Sequence, residues 1–265
     1  MSVVAPRVHW LTDESATGPI VLLAHGLEDG WRSWQPLVRV LDPGWRLCAL
    51  DLPWRAGGGY AWRHQGMPGD WIGAALAELP DPIDVLVGHS FGANAVLHAL
   101  ASGVSPAPLG AMLVAPFYCP PELEITWAVY DRARHDFDLI IRQGLELRLG
   151  ARMSRLDPAL VESILAKMVD KVGPIGFTTL FDQFVATADL SLADVTVPTL
   201  ILAGGQDPSL DVKRAAALRR GLPDAQVVLE PTFDHFCQVR RVDLVARHLS
   251  GFVEKICAAR EGGTW

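Results

Sequence analysis

The stretch Ile83–Leu100, IDVLVGHSFGANAVLHAL, decides how this chain is read. Ile83 to Gly88 is a short apolar run rich in β-formers, and the segment from Phe91 to about Ala101 is helical in composition. Between them stands Gly88-His89-Ser90-Phe91-Gly92, a G-x-S-x-G string. The string alone is a weak signal. A strand leading directly into it and a helix leading directly out of it make it a strong one. Such a turn lifts the serine above a sheet edge at a helix start, in a strained backbone conformation. Gly88 and Gly92 leave room for strand and helix to approach, and Ala93 and Ala95 keep the helix face slim. Ser90 is therefore the candidate nucleophile.

Outward from this unit, strand-like and amphipathic stretches alternate. Pro19–Ala24, Arg46–Asp51, Gly110–Pro116, Thr199–Gly204 and Ala225–Glu230 read as strands. Helices are expected over Trp31–Leu41, Pro68–Leu79 and Val212–Arg220, and from about Val239 to Ile256. Continuous apolar strands with interleaved helices predict an α/β fold, a mostly parallel β-sheet flanked by helices. Pro6–Thr12 adds a candidate antiparallel edge strand. Residues 117–198 break the alternation with three helical runs, Pro121–Leu149, Asp157–Val172 and Pro174–Ala188. Asp157-Pro158 is a helix start, and Gly173-Pro174 separates the last two runs. The expected division is a core of residues 1–117 and 199–265 with a helical cap subdomain at 118–198. Ordinary crossover helices are the plainer alternative, but one crossover needs only about a dozen residues.

The chain has 265 residues, half of them apolar and a fifth charged, enough for one domain with a sizeable core. A net charge of −7 without a Lys/Arg run excludes a nucleic-acid partner. No apolar run approaches the ~20 residues that span a bilayer, and MSVVAPRVHW does not read as a signal peptide, so no membrane association is expected. Cys48, Cys119, Cys237 and Cys257 lie far apart without C-x-x-C, which suits reduced thiols in the cytoplasm and no metal site. Gly57-Gly58-Gly59 does not open a helix, so no dinucleotide or other cofactor is implied.

A serine hydroxyl needs a base to remove its proton. Of eight histidines, His235 is the candidate: it follows the last strand and precedes the terminal helix. His89, inside the elbow, is expected to point away from the hydroxyl. The base in turn needs a carboxylate. Asp207, just past the TLILAG strand, is favoured over Asp211, which reads as a helix start, and over Asp234, which neighbours the base. Oxyanion donors are expected at the backbone N–H groups of Phe91, directly after the nucleophile, and of Leu27, after the strand ending at Ala24. His25 and Gly26 shape that second loop.

These residues together resemble the α/β-hydrolase fold family, in its serine-nucleophile branch of esterases, thioesterases and haloperoxidase-like enzymes. The resemblance rests on HG at 25–26, WRSWQP at 31–36, DLP at 51–53, GHSFG at 88–92, GGQD at 204–207 and DH at 234–235. It covers about Pro19 to Val253. It implies a serine hydrolase that cleaves an ester or thioester of a small, largely apolar molecule through an acyl-enzyme on Ser90. The nucleophile is serine, not the aspartate of related epoxide hydrolases and dehalogenases. After DLP the chain reads Trp54-Arg55-Ala56-Gly57-Gly58-Gly59-Tyr60, where many members carry Gly-His-Gly-type residues. Aromatic residues near the expected mouth suggest an apolar pocket, with His25, Trp54, Phe117 and Phe181 as candidate lining residues. The same machinery also serves acyl transfer, cyclisation or carbon–carbon cleavage, and some members of such a fold bind ligands without turnover. The partner expected is the small-molecule substrate, and a homo-oligomer is left open.

Overall fold

The computed structural model describes residues 3–150, 155–260 and 262. Seven strands form one sheet: β1 (Arg7–Trp10), β2 (Ile20–Ala24), β3 (Arg46–Asp51), β4 (Val85–His89), β5 (Gly110–Val114), β6 (Thr199–Gly204) and β7 (Ala225–Glu230). Their order is β1-β3-β2-β4-β5-β6-β7. Only β1 runs antiparallel, against β3; every other neighbouring pair is parallel. This is the expected α/β architecture. The strands β2 to β6 read as continuous apolar runs because both faces of the sheet are covered.

Alternate residues of each strand serve opposite faces. Leu22, Ala24, Cys48 and Leu50 join a core with α2 (Pro68–Glu78), α3 (Phe91–Ala101) and α6 (Val212–Gly221). Val21, Leu23, Leu47 and Ala49 join a second core with α1 (Gln35–Val38), α7 (Cys237–Arg240) and α8 (Val242–Arg260). Between β5 and β6 the chain leaves the sheet for two long helices, α4 (Trp127–Leu149) and α5 (Pro158–Ala186), which share their own cluster around Phe137, Ile141, Leu145, Leu165 and Phe177.

Three expected boundaries are corrected and one is met. The helix expected over Trp31–Leu41 is a 3-10 turn, Trp31–Trp34, followed by the four-residue α1. Pro36 supplies no N–H to an acceptor one turn back, which disfavours a continuous α-helix there. The run expected from Pro121 begins instead at Trp127, after a loop that holds Pro116, Pro120 and Pro121, with Thr126 as N-cap. The separation expected at Gly173-Pro174 is present: α5 is broken at Gly173, whose φ of 58° and ψ of −167° are not helical, into runs on either side of it. The terminal helix divides into α7 and α8 around Arg241.

The strand order reverses direction across β2: β3 lies on one side and β4 on the other. Open parallel sheets bind ligands at the carboxyl ends of strands beside such a switch point. The loops after β2, β4, β6 and β7 all emerge at that edge.

Candidate active site

Ser90 follows β4 and precedes α3, with φ of 53° and ψ of −123°. A non-glycine residue held there carries strain of about 1–3 kcal/mol. The surroundings impose it: Ser90 N–H donates to the Val114 carbonyl at 2.8 Å, and Asn94 N–H donates to the Ser90 carbonyl at 3.1 Å. A Cβ on Gly92 would lie 2.4 Å from the His25 carbonyl oxygen, and one on Gly88 would lie 2.5 Å from the Ala93 Cα. Strand, the loop after β2 and helix thus meet at a separation only glycine permits.

Asp207 sits in the loop after β6 and His235 in the loop after β7. Ser90 Oγ–H donates to His235 Nε2 at 2.8 Å, and His235 Nδ1 lies 3.0 and 3.1 Å from the two Asp207 carboxylate oxygens. All three side chains are buried. Burial by itself would raise the Asp207 carboxyl, but the attraction and hydrogen bond of His235 and the Ser209 N–H outweigh it and hold the group below its ordinary range. Asp211, the alternative, caps α6 by accepting from Arg214 N–H; Asp234 accepts from Phe236 N–H.

Leu27 and Phe91, the expected oxyanion positions, lie in the loop after β2 and at the first turn of α3. Neither backbone N–H donates to an acceptor among the described residues. Phe91 N–H is also one of the unpaired donors at a helix N-terminus, where partial positive charge collects.

The pocket expectations are partly overturned. His25 and Trp54 are core residues. His25 Nε2 accepts from Leu52 N–H at 3.1 Å, its Nδ1–H donates to the Gly26 carbonyl at 2.8 Å, and Trp54 Nε1–H donates to the His25 carbonyl at 2.9 Å. Burial lowers the His25 pKa, which suits this neutral, bridging imidazole. Trp54 packs with Trp62, Trp71 and Phe91. The glycine loop turns these indoles inward, where the apolar area they remove from water is largest. Phe117 does line a cavity, while Phe181 stacks among Tyr130, Phe177 and Phe184.

Two cavities flank His235. One of about 290 Å³ reaches Ser90 and is walled by Leu27, Asp29, Phe137, Ile141, Arg148 and Phe236, among others. The other, about 1110 Å³, is walled by Phe117, Val129, Phe137, Leu180, Phe184 and Ser209, among others. Phe137, Ile140 and Leu180, from α4 and α5, belong to both. Two charged residues of α4, Arg132 and Asp136, lie 3.8 Å apart and border the larger cavity.

Three groups had escaped sequence reasoning. Asp29 borders the smaller cavity, and burial pushes its carboxyl up. Asn94 clamps the chain after β5, its Nδ2 donating to the Phe117 carbonyl at 2.7 Å and its Oδ1 accepting from Phe117 N–H at 3.0 Å. Its place in α3 one turn after Ser90 is its only sequence signal. Gln238, buried beside the elbow, has none. Among the described residues no group of three or more His, Cys, Asp or Glu side chains could hold a metal ion. No helix among them is long and apolar enough to cross a membrane.

A family model described as "Alpha/beta hydrolase family" matches residues 21–247. The pimeloyl-(acyl-carrier protein) methyl ester esterase of Vibrio vulnificus (strain YJ016) is 24% identical over 259 residues, covering 94% of this chain and 98% of that protein. The enzyme of the same name from Pectobacterium atrosepticum is 25% identical over 264 residues, covering 93% and 98%. Among solved structures, a hydrolase from Oleispira antarctica matches with a TM-score of 0.69 at 14% identity, over 94% of each chain. At that identity the likeness speaks for the fold.

Proposed function

This chain belongs to the alpha/beta hydrolase family, and on that premise we propose that it cleaves a carboxylic ester or thioester through an acyl-enzyme on Ser90. The observation that carries this reading is the buried hydrogen-bonded line Ser90–His235–Asp207, at 2.8 and 3.0 Å, opening on a cavity. His235 takes the hydroxyl proton as Ser90 attacks the carbonyl carbon, and Asp207 orients the imidazole and stabilises its cation. The amides of Leu27 and Phe91 hold the oxyanion that forms. The tetrahedral intermediate collapses as His235 returns the proton to the departing oxygen or sulfur. Water, deprotonated by His235, then frees the acyl group and restores Ser90.

The two cavities suit an ester with one compact arm and one long, largely apolar arm, diverging at the carbonyl beside His235. The methyl esters named for the Vibrio and Pectobacterium relatives have that asymmetry. Helices α4 and α5 act in this reading as a cap, residues 118–198, that roofs both arms. A cytoplasmic site of action also belongs to it, since Cys48, Cys119 and Cys237 are buried thiols.

The test is a matched panel of p-nitrophenyl esters and acyl thioesters of rising chain length, wild type beside Ser90→Ala. Turnover lost by at least roughly 10³-fold in the variant is expected for a triad nucleophile. Wild type no faster than the variant on every member would overturn the reading. Preference for longer acyl chains would fit the larger cavity.

A further inference from the structure

His89 occupies the variable position of the elbow and is used by no step above. Its side chain is buried, and each ring nitrogen has a partner from the His235 region. His89 Nε2 lies 2.8 Å from the His235 backbone carbonyl oxygen, and His89 Nδ1 lies 3.1 Å from Gln238 Nε2. The protons can be assigned by elimination. A carbonyl oxygen only accepts, so Nε2 must carry the hydrogen. In a neutral imidazole Nδ1 is then an acceptor, and only the amide NH₂ of Gln238 can donate to it. Neutrality is enforced by burial, helped by repulsion from His235, which together lower the His89 pKa to about 3.

The geometry points to His89 as a positioning residue for the base: with Gln238 it fixes the His235 carbonyl, and through it the height of the imidazole above Ser90. The inference rests on the hydrolase reading of the site. Three further contacts agree with it. The His89 and His235 rings tilt against each other with centroids 5.2 Å apart. Phe236 and Trp34 pack on His89 at 5.9 and 6.4 Å, so the ring cannot swing away. A Cβ on Gly26 would lie 3.2 Å from His89 Nδ1, so the ring also abuts the loop that carries Leu27. One side chain thus touches the nucleophile's strand, the base's loop and the oxyanion loop. The position of His235 is otherwise set by a loop after an edge strand, where a displacement of about 1 Å can cost on the order of 100-fold in rate.

The experiment compares wild type, His89→Leu and His89→Gln on one fast p-nitrophenyl ester, with Ser90→Ala as the blank. Leu fills space without a donor, whereas Gln can present an N–H near the place of Nε2. In His89→Leu, kcat is expected to fall by roughly 10- to 100-fold with KM little changed, and His89→Gln to recover most of the loss. Equal loss in both variants, or none in a folded His89→Leu, would overturn the assignment. Nitrogen-15 NMR of the wild-type imidazoles gives a readout that needs no variant to fold. A Nε2–H tautomer that does not titrate between about pH 5 and 9 supports the assignment, and a Nδ1–H tautomer or a titrating His89 overturns it. Wild type no faster than Ser90→Ala would instead strike at the hydrolase reading and take this inference with it.

Discussion

At Ser90 the backbone itself is strained. Its φ of 53° and ψ of −123° suit glycine, and every other residue at this position carries the strain into the folded state. Ser90→Ala and Ser90→Gly both remove the hydroxyl, but only the second relieves the backbone. Ser90→Gly is expected to be more stable than Ser90→Ala by about 1 kcal/mol, the relieved strain exceeding the added chain entropy of glycine. Urea denaturation of the pair checks this, and equal midpoints would mean that the elbow relaxes without cost. The same residue scale marks the limit of the sequence. The placement of Ser90, Asp207 and His235 anticipates which side chains meet, because each lies in the connection that follows a readable strand. The direction of a ring does not follow from spacing. Trp54 lies past a strand end in a glycine-rich loop, as a pocket residue would, yet only 1% of it is exposed. Gln238 and His89 are 149 positions apart, and nothing local in either segment announces their bond.

At the scale of elements, the strands were legible because four of them are buried throughout and a fifth, β3, is buried except at its ends, so that they read as apolar runs. Helix limits were less so, because they depend on competing local chemistry: Pro36 shortens α1, and the prolines before Thr126 delay α4. The break in α5 was readable as Gly173-Pro174, and its conformation explains why. At φ 58° and ψ −167° Gly173 is in a region nearly closed to other residues, and apart from its chain neighbours and the backbone of its own helix no atom lies within 4 Å of where its Cβ would be. The demand at Gly173 is one of backbone conformation alone. Gly173→Ala should therefore destabilise by about 1–3 kcal/mol without any steric clash. The loss should be seen as a lower urea midpoint with the slope unchanged. A midpoint equal to that of wild type would show that α5 can straighten through residue 173. Because residues of α4 and α5 line both cavities, the same variant should also alter KM for long-chain esters more than for short ones.

At the scale of the whole molecule, burial of neutral histidines ties folding to acidity. The folded state holds His89 with a pKa of about 3, against an ordinary value of 6.5. Burial is the main cause, His235 adds repulsion, and Asp207 and the His235 carbonyl oppose it. Between these two values the unfolded chain binds a proton that the folded chain refuses. Stability from this group is complete above pH 6.5 and is lost as the pH falls through the window. One such group changes stability by at most about 1.4 kcal/mol per pH unit, or about 2 kcal/mol between pH 6.5 and 5. His25 and His98 are lowered by burial as well and act in the same direction. Asp29 and Asp136 are raised by burial and act in the opposite direction. The lowered carboxyl of Asp207 acts only below its ordinary value of 3.8, at the acid end of this window and well below pH 5. Replacing one histidine isolates its share. Urea denaturation of wild type and His89→Gln at several pH values between 5 and 7.5 should show wild type losing stability more steeply toward acid, by about 1 kcal/mol per pH unit. Parallel curves would mean that His89 takes up its proton without unfolding, which the bond from its Nε2–H to the His235 carbonyl would survive but the bond from Gln238 would not. Such a result would relocate the acid sensitivity to His9, His25 and His98, all of them lowered.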